Sequence, residues 1–531
     1  MLENGGYRQM ELNSIRALEQ ATNLGRGELF RLGTAILFIV LIMLIVSARL
    51  ESVADSYLLV VAAMIGGYMA MNIGANDVAN NVGPAVGSQA LTLTGAILIA
   101  AIFEAGGALI AGGDVVSTIK KGIIDPALIA DGTTFVWVMM AALLAAAIWL
   151  NLATAVGAPV STTHSIVGGV LGAGIAAAGW EIANWNKVGM IAASWVISPV
   201  LGGLIAAGFL YFIKRTIIYR SDKIAAAKRI VPYLVAVMTW AFATYLILKG
   251  LKKLWKFDLI TAGLIGLAIA VAMFVLVKPL INRASGKLDN NRENVNRLFT
   301  MPLIFAAALL SFAHGANDVA NAVGPLAAIN DALLHGGVAT KAEIPFWVML
   351  VGASGIALGL ALYGPKLIRT VGTEITELDK MRAFCVAMAA AITVIIASQL
   401  GLPVSSTHIA VGGIFGVGFL REYLEANHAR LLDEIREHHE DDAPEVVDEF
   451  LLKFDAADVH EKGLMLADLK AKKGPMLFKR ERKQLRKVYR TELVKRSMLL
   501  KIAAAWVITV PLAGFMAAML YFTIRGMLLP H

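Results

Sequence analysis

The chain has 531 residues, of which 58% are hydrophobic and 16% charged, with a formal net charge of +8 and a mean hydropathy of +0.69. A charged fraction this far below the roughly 25% of soluble domains excludes an ordinary water-soluble globule. The basic residues lie between apolar stretches, where the positive-inside rule explains them better than a nucleic-acid partner does, and the lone Cys385 excludes an intrachain disulfide and a cysteine-based metal site.

Residues 1–32 form a polar tail carrying Arg8, Arg16, Arg26 and Arg31, and the apolar run at 33–50 has no small-residue cleavage site after it. It is expected to be a retained transmembrane helix and not a removed signal. A first repeat is expected over 57–213, and segment 214–299 holds two linking spans, 230–248 and 258–277, between basic loops at 214–229 and 278–297 that should face the cytoplasm. The link between those spans carries Lys249, Lys252, Lys253 and Lys256, which runs against that rule. A second repeat follows over 300–420. Residues 421–498 then open acidic (Glu434, Glu437, Glu440, Asp441, Asp442, Glu445) and close basic (Lys479, Arg480, Arg482, Lys483, Arg486, Lys487), and are expected to form a cytoplasmic helical insertion near anionic lipid. A last helix is expected over 499–524. With about 20 residues needed per crossing, the chain predicts an all-α integral membrane protein of about a dozen spans.

Two motifs recur. Gly74-Ala75-Asn76-Asp77-Val78-Ala79-Asn80-Asn81-Val82-Gly83-Pro84 returns as Gly315-Ala316-Asn317-Asp318-Val319-Ala320-Asn321-Ala322-Val323-Gly324-Pro325, and Gly157-Ala158-Pro159-Val160-Ser161-Thr162-Thr163-His164 returns as Gly401-Leu402-Pro403-Val404-Ser405-Ser406-Thr407-His408. Trp195-Val196-Ile197 likewise answers Trp506-Val507-Ile508, at a larger offset that exposes the insertion.

Each Asn-Asp segment ends an apolar run and is flanked by Gly and Pro, which predicts broken helices. At membrane depth such breaks survive only inside protein or along a watery cavity, and matching breaks in two halves point to a transporter's central site. A carboxylate there costs about 2.5–3.5 kcal/mol on insertion scales, so Asp77 and Asp318 need partners: each caps a half-helix beside an Asn, or holds a cation or proton. In the second motif Ser161, Thr162 and Thr163, and Ser405, Ser406 and Thr407, stand at helix starts, where first-turn N–H groups and hydroxyls suit an oxyanion. The blander alternative is that they only cap and bond to neighbouring spans.

Carboxylates beside an anion require cations to enter too, or protons on the anion. Hydrogen phosphate can donate its O–H to a carboxylate, which sulfate at neutral pH cannot, and Asp and Asn oxygens suit sodium. Glu104, alone in an apolar span with no acid at the matching place in the second half, either joins the cation path or is satisfied by a helix terminus. His164 and His408 are either proton carriers or groups bonded within the first turn.

These motifs are similar to those of the inorganic phosphate transporter (PiT) family, a repeated Gly-Ala-Asn-Asp segment paired with Pro-Val-Ser-Thr/Ser-Thr-His, and the similarity extends over about 57–524. The resemblance implies two inverted-topology repeats with broken or re-entrant helices, and co-transport of phosphate with sodium, or with protons in some members. It implies phosphate ligands among Asn76, Asp77, Ser161, Thr162, Thr163, Asn317, Asp318, Ser405, Ser406 and Thr407, with Asp77, Asn80, Asp318 and Asn321 near sodium and Glu104 on the coupling path. The expectation is therefore a multi-pass phosphate symporter of the cytoplasmic membrane, driven by sodium and without a resident cofactor. Its partners would be phosphate, the coupling ion, membrane lipid and a second copy in a dimer, but no nucleic acid. Proton-coupled or metal-phosphate symport and a sulfate permease are the rivals of the same class. A membrane hydrolase using Ser161 with His164, or Ser405 with His408, is the rival from another class. The helix at 33–50, the late hydrophilic segment and the change from Asn81 to Ala322 depart from the family pattern.

Overall fold

The computed structural model describes residues 27–49, 56–250, 255, 257–335, 344–373, 378–437 and 496–528. Most of the 421–498 segment, including His438 to Asp442 and the basic run from Lys479, lies outside them, as do Lys252, Lys253 and Lys256. Every element described is a helix, apart from one isolated β-bridge between Ile124 and Ala183.

The helix expected over 33–50 is α1, Gly27–Arg49. The first repeat comprises α2 (Ser56–Asn76), α3 (Val78–Gly87), α4 (Leu93–Ala111), α5 (Gly113–Lys121), α6 (Gly132–Val156), α7 (Thr162–Ala178) and α8 (Trp185–Ile213). The link holds α9 (Lys223–Gly250), α10 (Leu259–Ala284) and the short α11 (Arg292–Leu298). The second repeat comprises α12 (Thr300–Asp318), α13 (Ala320–His335), α14 (Phe346–Thr373), α15 (Lys380–Gln399), α16 (Ser406–Glu437) and α17 (Arg496–Leu528). Among the described residues, 11 helical stretches are long and apolar enough to cross a membrane, α2–α3 and α12–α13 each counting as one, while α7 is a shorter apolar helix.

Helix starts follow the sequence chemistry. Thr92, Asp131, Asn184 and Asp258 each accept a hydrogen bond from a first-turn N–H at the start of α4, α6, α8 and α10. Around Asp131, the Thr134 N–H (2.7 Å) and hydroxyl (2.9 Å) hold the carboxyl below the usual carboxylate range.

The halves interlock. Helix α2 packs on α14 while its counterpart α12 packs on α4, and α7 packs on α17 while its counterpart α16 packs on α8. The matched exchange places the two Asn-Asp breaks and the starts of α7 and α16 at one shared centre. The link is tied to the second repeat: the Met381 N–H donates to Asn296 Oδ1 (2.9 Å), and Arg292 pairs with Asp379 (3.2 Å). The α14–α15 junction therefore lies at the same end of the molecule as the basic segment 278–297.

Candidate functional site

Helix α2 ends at Asn76 and α3 begins at Val78, with Asp77 between them; α12 ends at Asp318 and α13 begins at Ala320. Asn76, Asp77, Asn80, Asn317, Asp318 and Asn321 are all buried. Close helix crossings bring these breaks together. A Cβ at Gly315 would strike the backbone of Glu104 in α4, and one at Gly74 would strike the backbone of Ile356 in α14, so each motif glycine lets its helix lie directly against the other repeat.

Helices α6 and α15 end in equivalent turns, with Gly157 (φ +75°) and Gly401 (φ +65°) in the left-handed region that favours glycine. The motif asparagines hold these turns. Asn76 donates to Thr154 Oγ1 (2.9 Å) and Ala158 O (3.2 Å) and accepts from the Val160 N–H (3.1 Å). Asn317 donates to the matching Ser398 Oγ (3.0 Å) and Leu402 O (3.3 Å).

Beyond the turns, Ser161 and Ser405 cap α7 and α16 through the N–H groups of His164 (3.1 Å) and His408 (3.2 Å). Those serine oxygens thus serve backbone donors and are not paired with an imidazole base. The next residues meet the carboxylates. Thr162 donates to Asp77 Oδ2, and Thr407 donates to Asp77 Oδ1 (2.5 Å). The Thr162 and Thr163 hydroxyls also lie 3.2 and 3.4 Å from Asp318 Oδ1, and Thr163 reaches Val404 O (2.9 Å). Asn80 donates to Thr407 Oγ1 (2.8 Å), and Asn321 donates to Asp318 Oδ1 (3.0 Å) and Thr162 Oγ1 (3.2 Å). Asp77 is therefore held by hydroxyls from both repeats.

Several buried oxygens accept no hydrogen bond from the described residues: Oδ1 of Asn80, Asn317 and Asn321, and Oδ2 of Asp318. Their amide nitrogens are fixed by acceptors, so the oxygens must point as they do. The buried Ser406 hydroxyl is likewise without a partner among the described residues.

One central residue was absent from the sequence-derived set. His314, fully buried, places Nδ1 2.6 Å from Glu104 Oε2 and Nε2 3.4 Å from Asp318 Oδ2. A carboxylate oxygen of Asp77, one of Asp318 and a ring nitrogen of His314 lie within 4.8 Å of one another. Asn81 completes the group by donating to Glu104 Oε1 (2.7 Å). This group is asymmetric. The glycine crossings match Glu104 with Ile356, and the motif alignment matches His314 with Ile73 and Asn81 with Ala322. Glu104 thus joins the site through a histidine and not a helix terminus.

His164 and His408 face each other, with ring centroids 4.4 Å apart; His164 lies tilted against Trp195 (3.8 Å), and His408 stacks on Trp506 (3.6 Å). The recurring Trp-Val-Ile segments supply these walls.

A phosphate transporter family model matches residues 73–517. The chain belongs to the phosphate transporter family. It is therefore a multi-pass membrane transporter of phosphate and not an enzyme, which sets aside the hydrolase reading. A protein named as a phosphate permease in Helicobacter pylori strain J99 is 53% identical, covering 96% of this chain and 98% of that one. Another from Pyrococcus abyssi is 40% identical over 71% of this chain and 92% of its own length. A solved structure of a sodium-dependent phosphate transporter is 32% identical, with a TM-score of 0.73 over 89% of this chain and all of that one. In this phosphate transporter α1 precedes the residues matched by the family model.

Proposed function

We propose that the chain is a secondary active transporter that imports inorganic phosphate by symport with sodium. The observation that carries this reading is the set of buried oxygens beside the two aspartates. Hard oxygens that accept nothing from the protein suit a sodium ion, and an anion would be repelled by them. The structure related at 32% identity is described as sodium-dependent, which supports the same reading.

Charge balance argues in the same direction. Asp77, Glu104 and Asp318 are fully buried, and His314 is the group in contact with them that can carry positive charge. Three carboxylates with one imidazolium and a phosphate anion cannot share a dry site without further positive charge. Sodium at Asp77, Asn80, Asp318 and Asn321 supplies it.

The hydroxyls explain how the two cargoes are coupled. Thr162 and Thr407 now donate to Asp77, and each hydroxyl has one proton to give. A cation on the carboxylates takes over their lone pairs and frees those protons for phosphate at the starts of α7 and α16. The two helix dipoles and the Ser406 hydroxyl add to that anion site. Sodium and phosphate then favour each other's binding, and neither is held well alone. Within the expected ligand set, Thr162, Thr163, Ser406 and Thr407 are the phosphate donors, Asp77 and Asp318 bind the coupling ion, and Ser161 and Ser405 cap their helices. Asn76 and Asn317 anchor the turns.

The topology is inverted in this reading. Taking α6–α7 as a hairpin that turns at the site, the crossings α2–α3, α4–α5, α8, α9 and α10 separate the start of α2 from that of α12. Five is odd, so the second repeat begins on the opposite face of the membrane, the arrangement of inverted-topology repeats.

A specific observation supports proton coupling as the second reading: His314 stands between Glu104, 2.6 Å away, and Asp318, 3.4 Å away, and so puts a proton-exchanging group beside the site. Phosphate uptake into sealed proteoliposomes, with sodium replaced by choline at fixed pH, separates the two. Sodium symport predicts loss of accumulation in choline; accumulation driven by a proton gradient in choline overturns it. Arsenate should compete with phosphate, and strong competition by sulfate would overturn the phosphate site.

A further inference from the structure

A cavity of about 1020 Å³ lies beside the site, walled by α1, α2, α6 and α14. Its floor includes Ala75 and Thr154, and Thr154 accepts a hydrogen bond from Asn76 (2.9 Å), the neighbour of Asp77. Its upper walls carry Arg31, Lys366 and Arg369, with Glu28 the one acid among the described lining residues and paired with Arg31 at 2.7 Å. Lys366 also donates to Ala155 O (2.7 Å), where α6 ends at the site. Arg369 sits near the end of α14, which is tied through the α14–α15 junction to the basic segment assigned to the cytoplasm. The cavity therefore lies between the transport site and that face.

At the corresponding turn of the second repeat, the residue that reaches the backbone is Thr118, which donates to Gly401 O (2.8 Å), where the first has Lys366. Arg31 comes from α1, outside the residues that define the family. Aligned positive charge in a partly desolvated funnel raises the local concentration of an anion and orients it. Arginine pairs bidentately with phosphate oxygens, and lysine serves as a point charge.

We propose that this cavity is a second site for a phosphate group, held by Arg31, Lys366 and Arg369, through which phosphate passes between Asn76 and the cytoplasm, and that α1 completes it. This rests on the transport reading above for its role as an exit, but not for its chemistry. An anionic lipid headgroup has the same chemistry as free phosphate and could reach the cavity along α1. Since neither carboxylate of the transport site lines it, binding here should not need sodium.

The test is equilibrium binding of radiolabelled inorganic phosphate to the full-length protein, in nanodiscs of phosphatidylcholine alone and in nanodiscs with added phosphatidylglycerol. Two phosphates per chain are expected in phosphatidylcholine, one requiring sodium and one not. Arg369→Gln and Arg31→Gln should each weaken the sodium-independent phosphate about tenfold or more, the effect of losing one charge-assisted contact, and Arg369→Lys should restore much of it. Asp77→Asn should remove only the sodium-requiring phosphate; if it does not, the transport-site reading fails while the cavity remains separately judged. Suppression of the sodium-independent phosphate by phosphatidylglycerol, with less of that lipid co-purifying with Arg369→Gln, identifies the lipid headgroup as the source. If the arginine substitutions change neither phosphate binding nor co-purified lipid, the cavity does not bind a phosphate group.

Discussion

Thr162→Val removes one hydroxyl and keeps the side-chain shape, at the point where both carboxylates meet. In the wild type the hydroxyl donates to Asp77, lies 3.2 Å from Asp318 Oδ1 and accepts from Asn321 at 3.2 Å. It has one proton, so its bond to Asp77 competes with the cation there and its bond to phosphate forms only once the cation has arrived. The two affinities should therefore move in opposite directions. Phosphate at saturating sodium loses a hydrogen bond to a charged group, worth about 1.5–3 kcal/mol, or roughly a 10- to 100-fold weaker affinity. Sodium without phosphate meets an Asp77 with one competitor fewer and binds more tightly. Thr162→Ser, which keeps the hydroxyl, should stay near wild type in both. Calorimetric titration of the purified protein with sodium and with phosphate measures the pair. A parallel loss of both affinities would refute the exchange and reduce Thr162 to a structural bond.

Asp77→Asn and Asp318→Asn should each abolish sodium-driven phosphate uptake while the chain still inserts and purifies normally; normal uptake by either would remove that carboxylate from the mechanism. At Gly315→Ala, the added Cβ would lie 2.8 Å from Glu104 Cα, which cannot be accommodated without separating α12 from α4. Overpacking of this kind costs about 1–3 kcal/mol, so thermal stability should fall, and uptake with it as Glu104 leaves His314. Asp131→Ala lies far from the site and should lower stability by about 1 kcal/mol through loss of a helix cap, with uptake kinetics unchanged. Because the Asp131 carboxyl is held below its ordinary value, its contribution is full above the ordinary range and is lost as pH falls through the lowered one. The stability gap between wild type and variant, read from thermal unfolding, should persist from neutral pH to about pH 4 and close below it.

The repeats were legible because the central chemistry is duplicated. Two Asn-Asp segments and two Ser/Thr helix starts mark broken helices and capped helix starts by residue type alone, and the structure brings all of them to one centre. What is not duplicated was hidden by the same method. His314 stands four residues before Asp318, on the same face of α12, in a run apolar but for Ser311, yet its counterpart is Ile73, so the repeat does not mark it. Glu104 stands out in the sequence as a solitary acid, but its histidine partner lies 210 residues away, a distance that no local pattern reports. An amide suits a ligand's task and a structural one alike, and the bonds of Asn76 to Thr154, Ala158 and Val160 come from across the fold, where no local pattern reports them. The Trp-Val-Ile pair registered as a repeat marker, while its contact with the two histidines required the packing of α8 on α16 and α17 on α7.

The claim that sodium frees the hydroxyls that hold phosphate is tested most directly by measuring the dissociation constant of the sodium-requiring phosphate across a series of sodium concentrations, with choline keeping ionic strength constant. Phosphate affinity should rise with sodium, and sodium affinity should rise with phosphate by the same factor, since coupling between two ligands is reciprocal. A phosphate affinity that stays constant from choline to saturating sodium would contradict the account.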